Sequence, residues 1–275
     1  MGLRINTNVA SITAQNKLAK QQKRMEHSLA ALSSGSRIVD AADDAAGLAI
    51  SENLRGQIAG VNVAKRNASN AVSLIQVSEG GLNEINNVLI RLRELGVQAA
   101  SDNVSDVERS FLDQEAQQLI QEADRIAKTT KFGNKALLDG SGEELEFHVG
   151  PFAGEENIIG YQITADATGG AIGYEGISVT DKESARDSLQ QVDDSLIKIG
   201  ELRADFGAVQ SRMNITVTNL NTQYENLNAA NSRLRDTDVA FETAELASAQ
   251  ILQQAAVGVL AQANGVNNSA LRLLA

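Results

Sequence analysis

Apolar residues recur at seven-residue intervals along the first third of the chain. The strict positions are Leu54, Val61, Ala68, Ile75, Leu82, Leu89 and Gly96, and the second seam positions are Ile58, Val72, Ile85, Leu92 and Ala99. A heptad repeat sustained over this length is typical of helices that pack as coiled coils. It predicts one helix over about 45–100, roughly 80 Å long at the rise of an α-helix. The preceding segment DAADD at 40–44 is suited to cap it.

A second apolar pattern, with steps of three and four residues, starts near Asp181. Its members are Leu189, Val192, Leu196, Ile199, Leu202, Phe206, Val209, Met213, Val217, Leu220, Tyr224 and Leu227. It predicts another helix, roughly 70 Å long, as the natural partner of the first. SDNVSD at 101–106 predicts a turn, and 107–128 predicts a shorter helix that folds back on the first. Together these elements predict a mainly α fold built on a long antiparallel coiled-coil or helical-bundle rod.

The two ends of the chain carry patterns that need a partner. Residues 1–33 form one apolar stripe that ends at the Ser-Ser-Gly-Ser segment 33–36. The stretch from Leu246 to Leu271 contains no charged residue and places Leu252, Val259 and Val266 one heptad apart. A helix with so little polar surface must be buried. We therefore predict that both ends of the chain need another protein surface to pack on.

Burial in a membrane is the alternative for the C-terminal stretch. Its longest unbroken apolar run is only Ala255–Ala261, and glutamines at 250, 253, 254 and 262 interrupt the remainder. A spanning helix needs about 20 predominantly apolar residues. The pattern therefore favours burial against protein, and no membrane span is predicted.

The middle of the chain changes character after Thr129. KFGNKALLDGSG at 131–142 predicts a β-hairpin, and the glycine-rich segment that follows contains three candidate strands, LEFHV, IIGYQI and YEGISV. Residues 141–178 include seven acidic residues and no Lys or Arg. This segment is too small for a large independent domain. We predict a short, exposed β insertion over 141–180.

Composition and motifs argue against catalysis. The chain has no cysteine, 3% aromatic residues and a net charge of −11, which disfavours binding to nucleic acid. No HExxH, GxSxG, P-loop or GxGxxG pattern occurs, and His27 and His148 are far apart. Asp40, Asp43 and Asp44 do not have EF-hand spacing. We predict a non-enzyme without cofactor or metal, and the N-terminus lacks the apolar region of a cleavable signal peptide.

Several segments resemble the bacterial flagellin family. At the N-terminal side these are INTNVASITAQNKL (5–18), LSSGSRIVDAADDAAGLAISENLRGQI (32–58) and GGLNEINNVLIRLRELGVQAAS (80–101). TKFGNKALLDGS (130–141) is similar to the hairpin of the family, although Gly133-Asn134 stands where Asn-Gly is common. SRLRDTDVAFETAEL (232–246) and the final LRLLA are similar to the C-terminal signature. The resemblance covers nearly everything except the acidic insertion.

The resemblance implies an architecture and a function. Residues 1–40 and 236–275 would form inner segments that pair as a coiled coil and line a channel. Residues 41–140 and 181–235 would form the rod with its hairpin, and 141–180 would be a minimal variable region. The subunit would self-assemble through its terminal helices into an extracellular flagellar filament for swimming motility. Its implied partners are other copies of itself, an export chaperone of the flagellar type III pathway, and the hook–filament junction and cap proteins.

The resemblance and the apolar pattern also imply particular site residues. For polymerisation these are Ile5, Val9, Ile12, Leu29, Leu32, Leu246, Leu252, Val259, Leu260, Val266 and Leu271. We expect the terminal segments to become ordered only when they meet neighbouring subunits. Gln15, Gln22, Asn264 and Asn267 either line the lumen or solvate one helix face.

A host Toll-like receptor that detects flagellin is a further implied partner. The contact motif of the family is matched by Arg91, Arg93, Glu94, Leu95 and Glu115, whereas Ile90 stands where glutamine is typical. Arg91 and Glu94 are also ordinary helix-face neighbours.

Thr164, Thr168 and Ser178 are candidate glycosylation positions.

Three other protein classes compete with this interpretation. A hook–filament junction protein would share the terminal helices, but the match to both signature blocks favours flagellin. A flagellin with a metalloprotease insertion is disfavoured by the short insertion and the missing HExxH. A helical secreted effector would differ from flagellin by failing to assemble into filaments.

Overall fold

The computed structural model describes residues 7–142, 144–162 and 165–272, and for 162 and 266–272 it describes the backbone alone. The helices of this part of the chain are α1 (Val9–Ser34), α2 (Ala45–Ala99), α3 (Asp106–Thr129), α4 (Gly169–Ile172), α5 (Lys182–Arg235) and α6 (Val239–Arg272). The strands are β1 (Lys131–Phe132), β2 (Lys135–Ala136), β3 (Glu144–His148) and β4 (Ile158–Gln162). The predicted mainly α fold is confirmed.

The chain divides into two compact units. One, here called the terminal unit, consists of Met1–Gly56 and Asn226–Ala275, and the other, the central unit, is Gln57–Glu225. The predicted inner segments 1–40 and 236–275 both fall within the terminal unit. That unit also includes the first residues of α2 and the last residues of α5.

Within the central unit α2 and α5 pack antiparallel. Arg93 Nε donates to Asp193 Oδ1 over 2.7 Å, and Arg203 reaches Glu79 at 3.7 Å. The helices approach closely at Gly96, where an added Cβ would lie 3.0 Å from Leu189 Cδ2. The buried side chains of both helices follow the predicted heptads, namely Val61, Ala68, Ile75, Leu82 and Leu89 on α2 and Val192, Ile199, Phe206, Met213 and Leu220 on α5. The predicted helical pair is confirmed.

Helix α3 begins with a capping box and folds back on α2. The Ser105 side chain accepts from the Glu108 backbone, and the Glu108 carboxylate accepts from the Ser105 backbone N–H, which holds the pKa of Glu108 below its usual value. Arg109 is buried and donates to the carbonyls of Ala99 and Ser101 at 2.8 and 2.9 Å. These bonds satisfy the carbonyl of the last residue of α2 and one carbonyl in the turn that follows it. Arg109 therefore fixes the turn between the two helices.

The insertion contains two of its three predicted strands. β1 and β2 form the expected hairpin around Gly133 (φ 60°), and β3 pairs antiparallel with β4 from Glu144↔Gln162 to His148↔Ile158. The third prediction, YEGISV, is wrong. Gly173 and Gly176 adopt φ of 100° and 86°, which interrupts an extended strand, and the segment follows α4 as irregular chain.

The insertion is also less exposed than the sequence indicated. Its buried apolar residues are Leu145, Val149, Ile159, Ala165, Ala167, Ile172, Tyr174, Ile177 and Val179. Asp113 of α3 accepts from the Ser178 hydroxyl at 3.1 Å and from the Val179 N–H at 2.8 Å. The apolar side of 141–180 thus packs into the central unit, whereas Glu144, Glu146, Glu155, Glu156 and Glu175 are exposed. The short, exposed β insertion remains a prediction, and its apolar residues were not expected to be buried.

The terminal unit pairs α1 with α6 in antiparallel orientation. Asn8 Nδ2 donates to the Ala263 carbonyl over 2.9 Å at one end, and the Thr237 N–H donates to the Gly35 carbonyl over 3.0 Å at the other. Arg24 and Glu245 lie 3.6 Å apart between them. The predicted pairing of the terminal helices is confirmed. In the part of the chain that the structure describes, no helix is both long and apolar enough to cross a membrane.

Candidate assembly surface

The seam between α1 and α6 is built from small residues. Its buried members are Ser11, Ala14, Ser28 and Ala31 on α1 and Ala249 on α6, together with one charged residue of α6, Glu242. Small side chains bring the helix axes close together but cover little apolar surface, so larger apolar residues remain outside the seam. The two helices therefore bury only a narrow strip of each other, and their other faces are exposed to solvent.

The predicted polymerisation residues lie mostly on these open faces. Val9, Ile12, Leu29, Leu252 and Val259 are exposed, at 60% for Val9 and 57% for Val259. Leu32, Leu246 and Leu260 are half-buried. Ile5, and the side chains of Val266 and Leu271, are outside the described residues. Several exposed apolar side chains on one unit are typical of an interaction surface.

Sequence reasoning missed part of this surface and its seam. Exposed Val239, Phe241, Ile251 and Val257 extend the apolar surface along α6. The seam was missed because only large apolar residues were counted. Ala14, Gln21 and Ser28 lie one heptad apart, and that spacing of small and polar residues was the available signal.

An open apolar groove of about 630 Å³ lies between the two helices. One wall contains Val9, Ala10, Thr13 and Ala14, and the other contains Leu252, Ala255, Ala256 and Val259. Gln21 also lines it, and its side-chain oxygen is buried without a hydrogen-bond partner. A buried amide oxygen without a donor is costly. Lys17 lines the groove as well, so the groove combines apolar walls with one cationic side chain and one acceptor that has no donor.

A polar loop supports the base of the terminal unit. Asp43 accepts from the N–H groups of Asp40 and Val39 at 2.9 and 3.1 Å, and His27 Nε2 lies 3.2 Å from it. The bond from the Asp40 N–H is the main reason that the pKa of Asp43 is lowered. Asp44 caps α2 by accepting from the Gly47 N–H at 2.8 Å, which fits the predicted capping role of 40–44.

The residues implied for receptor contact fall into a surface set and a buried one. Arg91 donates to Glu94 at 2.9 Å and to Glu115 at 2.8 Å, and hydrogen bonding with Glu94 and then Glu115 raises the pKa of Arg91. Arg93 is held by Asp193 of α5. Leu95, by contrast, is only 1% exposed. Its role as a contact remains a prediction, which its burial in the core of the central unit disfavours.

The candidate glycosylation hydroxyls are engaged where the structure describes them. The Thr168 hydroxyl donates to Asp166 over 2.5 Å, and the Ser178 hydroxyl donates to Asp113. Thr164 is outside the described residues. Modification of Thr168 or Ser178 would have to break a bond that holds the insertion, so both remain predictions that the geometry disfavours.

Comparisons with known proteins cover nearly the whole chain. The bacterial flagellin N-terminal helical region matches residues 5–143, and the bacterial flagellin C-terminal helical region matches residues 189–274. The chain belongs to the bacterial flagellin family. The segment between the two matched regions corresponds to most of the insertion and the start of α5.

Full-length flagellar proteins are among its relatives. The chain is 38% identical to a flagellin of Halalkalibacterium halodurans, over 98% of this chain and 99% of that one. It is also 38% identical to a flagellar filament core protein of Brachyspira hyodysenteriae, with the same coverage. The crystal structure of Bacillus cereus flagellin matches at a TM-score of 0.51 and 27% identity, over 60% of this chain and 94% of that one.

Flagellins are structural proteins, and the structure describes residues 7–142, 144–162 and 165–272. Over that part of the chain, no cluster of three or more His, Asp or Glu side chains is placed to hold a metal ion. Gln15 and Gln22 are exposed on α1 and Asn264 on α6, whereas the side chain of Asn267 is outside the described set. Whether these polar residues line a lumen remains a prediction.

Proposed function

We propose that this chain is the structural subunit of an extracellular flagellar filament and polymerises through its terminal unit. The observation that carries the proposal is the apolar surface left open on α1 and α6, including Val9, Ile12, Leu252 and Val259. Burying such side chains contributes about 1.5–3 kcal/mol each. Packing against other copies of the chain would bury these side chains. Residues 246–271 contain no charged residue, so this packing would not require a charge to be buried.

In this proposal the terminal helices gain their full order during assembly. The narrow α1–α6 seam buries mainly alanine and serine, so the isolated pair offsets little of its own conformational entropy. Neighbouring copies would supply the missing contacts. Loose ends also suit passage through the flagellar type III export channel, with a chaperone covering the C-terminal helix until export and with junction and cap proteins bounding the filament.

Seeded polymerisation of the purified full-length chain tests the filament function. We expect negative-stain microscopy to show filaments that lengthen from added seeds, and light scattering to rise with subunit concentration. A chain that stays monomeric with seeds and at high salt would contradict the proposal and favour a secreted effector. The chain is 38% identical to a flagellar filament core protein over nearly the whole length of both chains, which supports a filament subunit over a junction protein.

Recognition by the innate flagellin receptor is a second proposed role, supported by the surface network of Arg91, Glu94 and Glu115. Two charged partners hold the Arg91 guanidinium in one orientation. A reporter-cell assay with purified monomer should respond, and Arg91→Ala should weaken the response by about tenfold or more. A monomer that gives no response at saturating dose would reject this role. Restoring the typical residue with Ile90→Gln tests whether Ile90 limits potency.

A further inference from the structure

A polar cleft of about 370 Å³ lies within the central unit. One wall is a stripe along the middle of α5 formed by Arg212, Thr216, Asn219 and Gln223. Their spacing of four, three and four residues places them on one helix face. The opposite wall is the loop between β3 and β4, which contributes Pro151, Phe152, Glu156 and Asn157.

The loop wall is fixed by contacts at its base. The Val149 N–H donates to the Asn157 carbonyl over 2.7 Å, and the Asn157 N–H donates to the Gly154 carbonyl over 3.0 Å. Asn67 of α2 donates to the His148 carbonyl over 3.0 Å. Gly60 lets α2 approach Pro151, since a Cβ there would lie 3.2 Å from the Pro151 Cβ. A wall held in this way needs little ordering when a ligand binds.

The groups in the cleft define the chemistry of its ligand. Amide donors and acceptors are offered by Asn157, Asn219 and Gln223. The same cleft contains one guanidinium group, that of Arg212, and one carboxylate, that of Glu156. Opposite charges disfavour a strongly anionic or cationic ligand. The abundance of polar groups disfavours a wholly apolar one.

Phe152 supplies the remaining feature. Its side chain is 53% exposed at the rim, although the loop beneath it is well packed. An exposed aromatic side chain beside hydrogen-bond donors and acceptors suits a ligand whose own ring has one apolar face and several hydroxyl groups. The volume is at the lower end of the range for small-ligand sites. We propose that this cleft binds a neutral carbohydrate, one pyranose ring at a time.

Saturation-transfer NMR on the full-length monomer tests this site with glucose, galactose, mannose and N-acetylglucosamine, and with N-acetylneuraminic acid as an anionic comparison. We expect at least one neutral sugar to bind saturably with a Kd of about 1 mM, the range that a small, open site reaches. The anionic sugar should bind more weakly. No saturable signal from any neutral sugar at about 50 mM would overturn the proposal.

Variants locate the binding. Phe152→Ala and Gln223→Ala should each raise the Kd by about tenfold or more. Gln210→Ala is the matched control, because Gln210 lies on the same helix but does not line the cleft. Binding that survives both cleft variants, or that is lost equally in the control, would overturn the assignment.

A second copy of the chain is the competing occupant of the cleft, and filament formation tests for it. The sugar assay uses the monomer, so the two proposals can fail separately. Failure to bind sugar would not contradict the filament proposal, and failure to polymerise would not contradict carbohydrate binding. We expect Phe152→Ala and Gln223→Ala to polymerise like the parent chain. If instead they bind sugars normally but lose elongation, the cleft receives a second copy and the carbohydrate proposal falls.

Discussion

Removing residues 246–275 is expected to abolish filament elongation while leaving the central unit folded. The deletion takes away one wall of the groove, formed by Leu252, Ala255, Ala256 and Val259, and all of the uncharged surface of α6. Helix α1 would then have no partner along most of its length, and helices in proteins owe most of their stability to packing of an apolar face. The central unit keeps its own core between α2 and α5, so its unfolding transition should persist.

Seeded light scattering and microscopy measure the elongation, and circular dichroism measures the remaining helix. Val259→Asp is the point variant of the same test, because it places a charge on an exposed apolar side chain of the groove. Desolvating an unpaired carboxylate costs several kcal/mol, which should stop growth. Val259→Leu keeps the position apolar and should still elongate. A truncated chain that forms filaments would refute assembly through α6.

The long helices could be predicted closely from the sequence. The heptads predicted a helix over about 45–100, and α2 is Ala45–Ala99. A helix resuming near Asp181 is matched by α5 from Lys182. Each helix buries one stripe along its length, so the information that places it is local and repeated many times. The pairing followed because two stripes of similar length require one another.

The insertion could not be predicted as well, because its residues are placed by contacts from distant segments. Ile177 and Val179 alternate like strand residues in the sequence. In the structure the Ile177 carbonyl accepts from Gln117 and the Val179 N–H donates to Asp113, both on α3. These side chains satisfy the backbone in place of a neighbouring strand. Nothing in the local pattern distinguishes the two arrangements.

The candidate surface was predicted in part. The apolar character of Val9, Leu252 and Val259 was evident from the sequence, but which of them would be covered within one chain was not. That depended on the seam, and small residues such as Ala14 and Ala31 carry a weak pattern signal. The burial of Leu95 was not foreseen either, since a motif match gives no information about which side of a helix is buried.

The packed insertion predicts that Tyr174→Ala destabilises the central unit by about 3–5 kcal/mol, the usual cost of removing a buried aromatic side chain. Tyr174 is fully buried, and its hydroxyl donates to the Ala167 carbonyl over 2.9 Å. Burial raises the pKa of Tyr174, so the hydroxyl remains a donor. Tyr174→Phe keeps the ring and leaves that carbonyl without its donor, which should cost about 1–3 kcal/mol.

Urea unfolding followed by circular dichroism gives the free energies of unfolding. Phe152→Ala is the matched control, because it removes an aromatic ring from the same insertion at an exposed position and should change stability by no more than about 0.5 kcal/mol. If Tyr174→Ala proved as mild as this control, the insertion would be a surface appendage after all. A large loss of unfolding free energy would instead mean that the insertion is part of the core. The insertion then also holds the segment before α5 against α3, through the hydrogen bonds that Asp113 and Gln117 make with it.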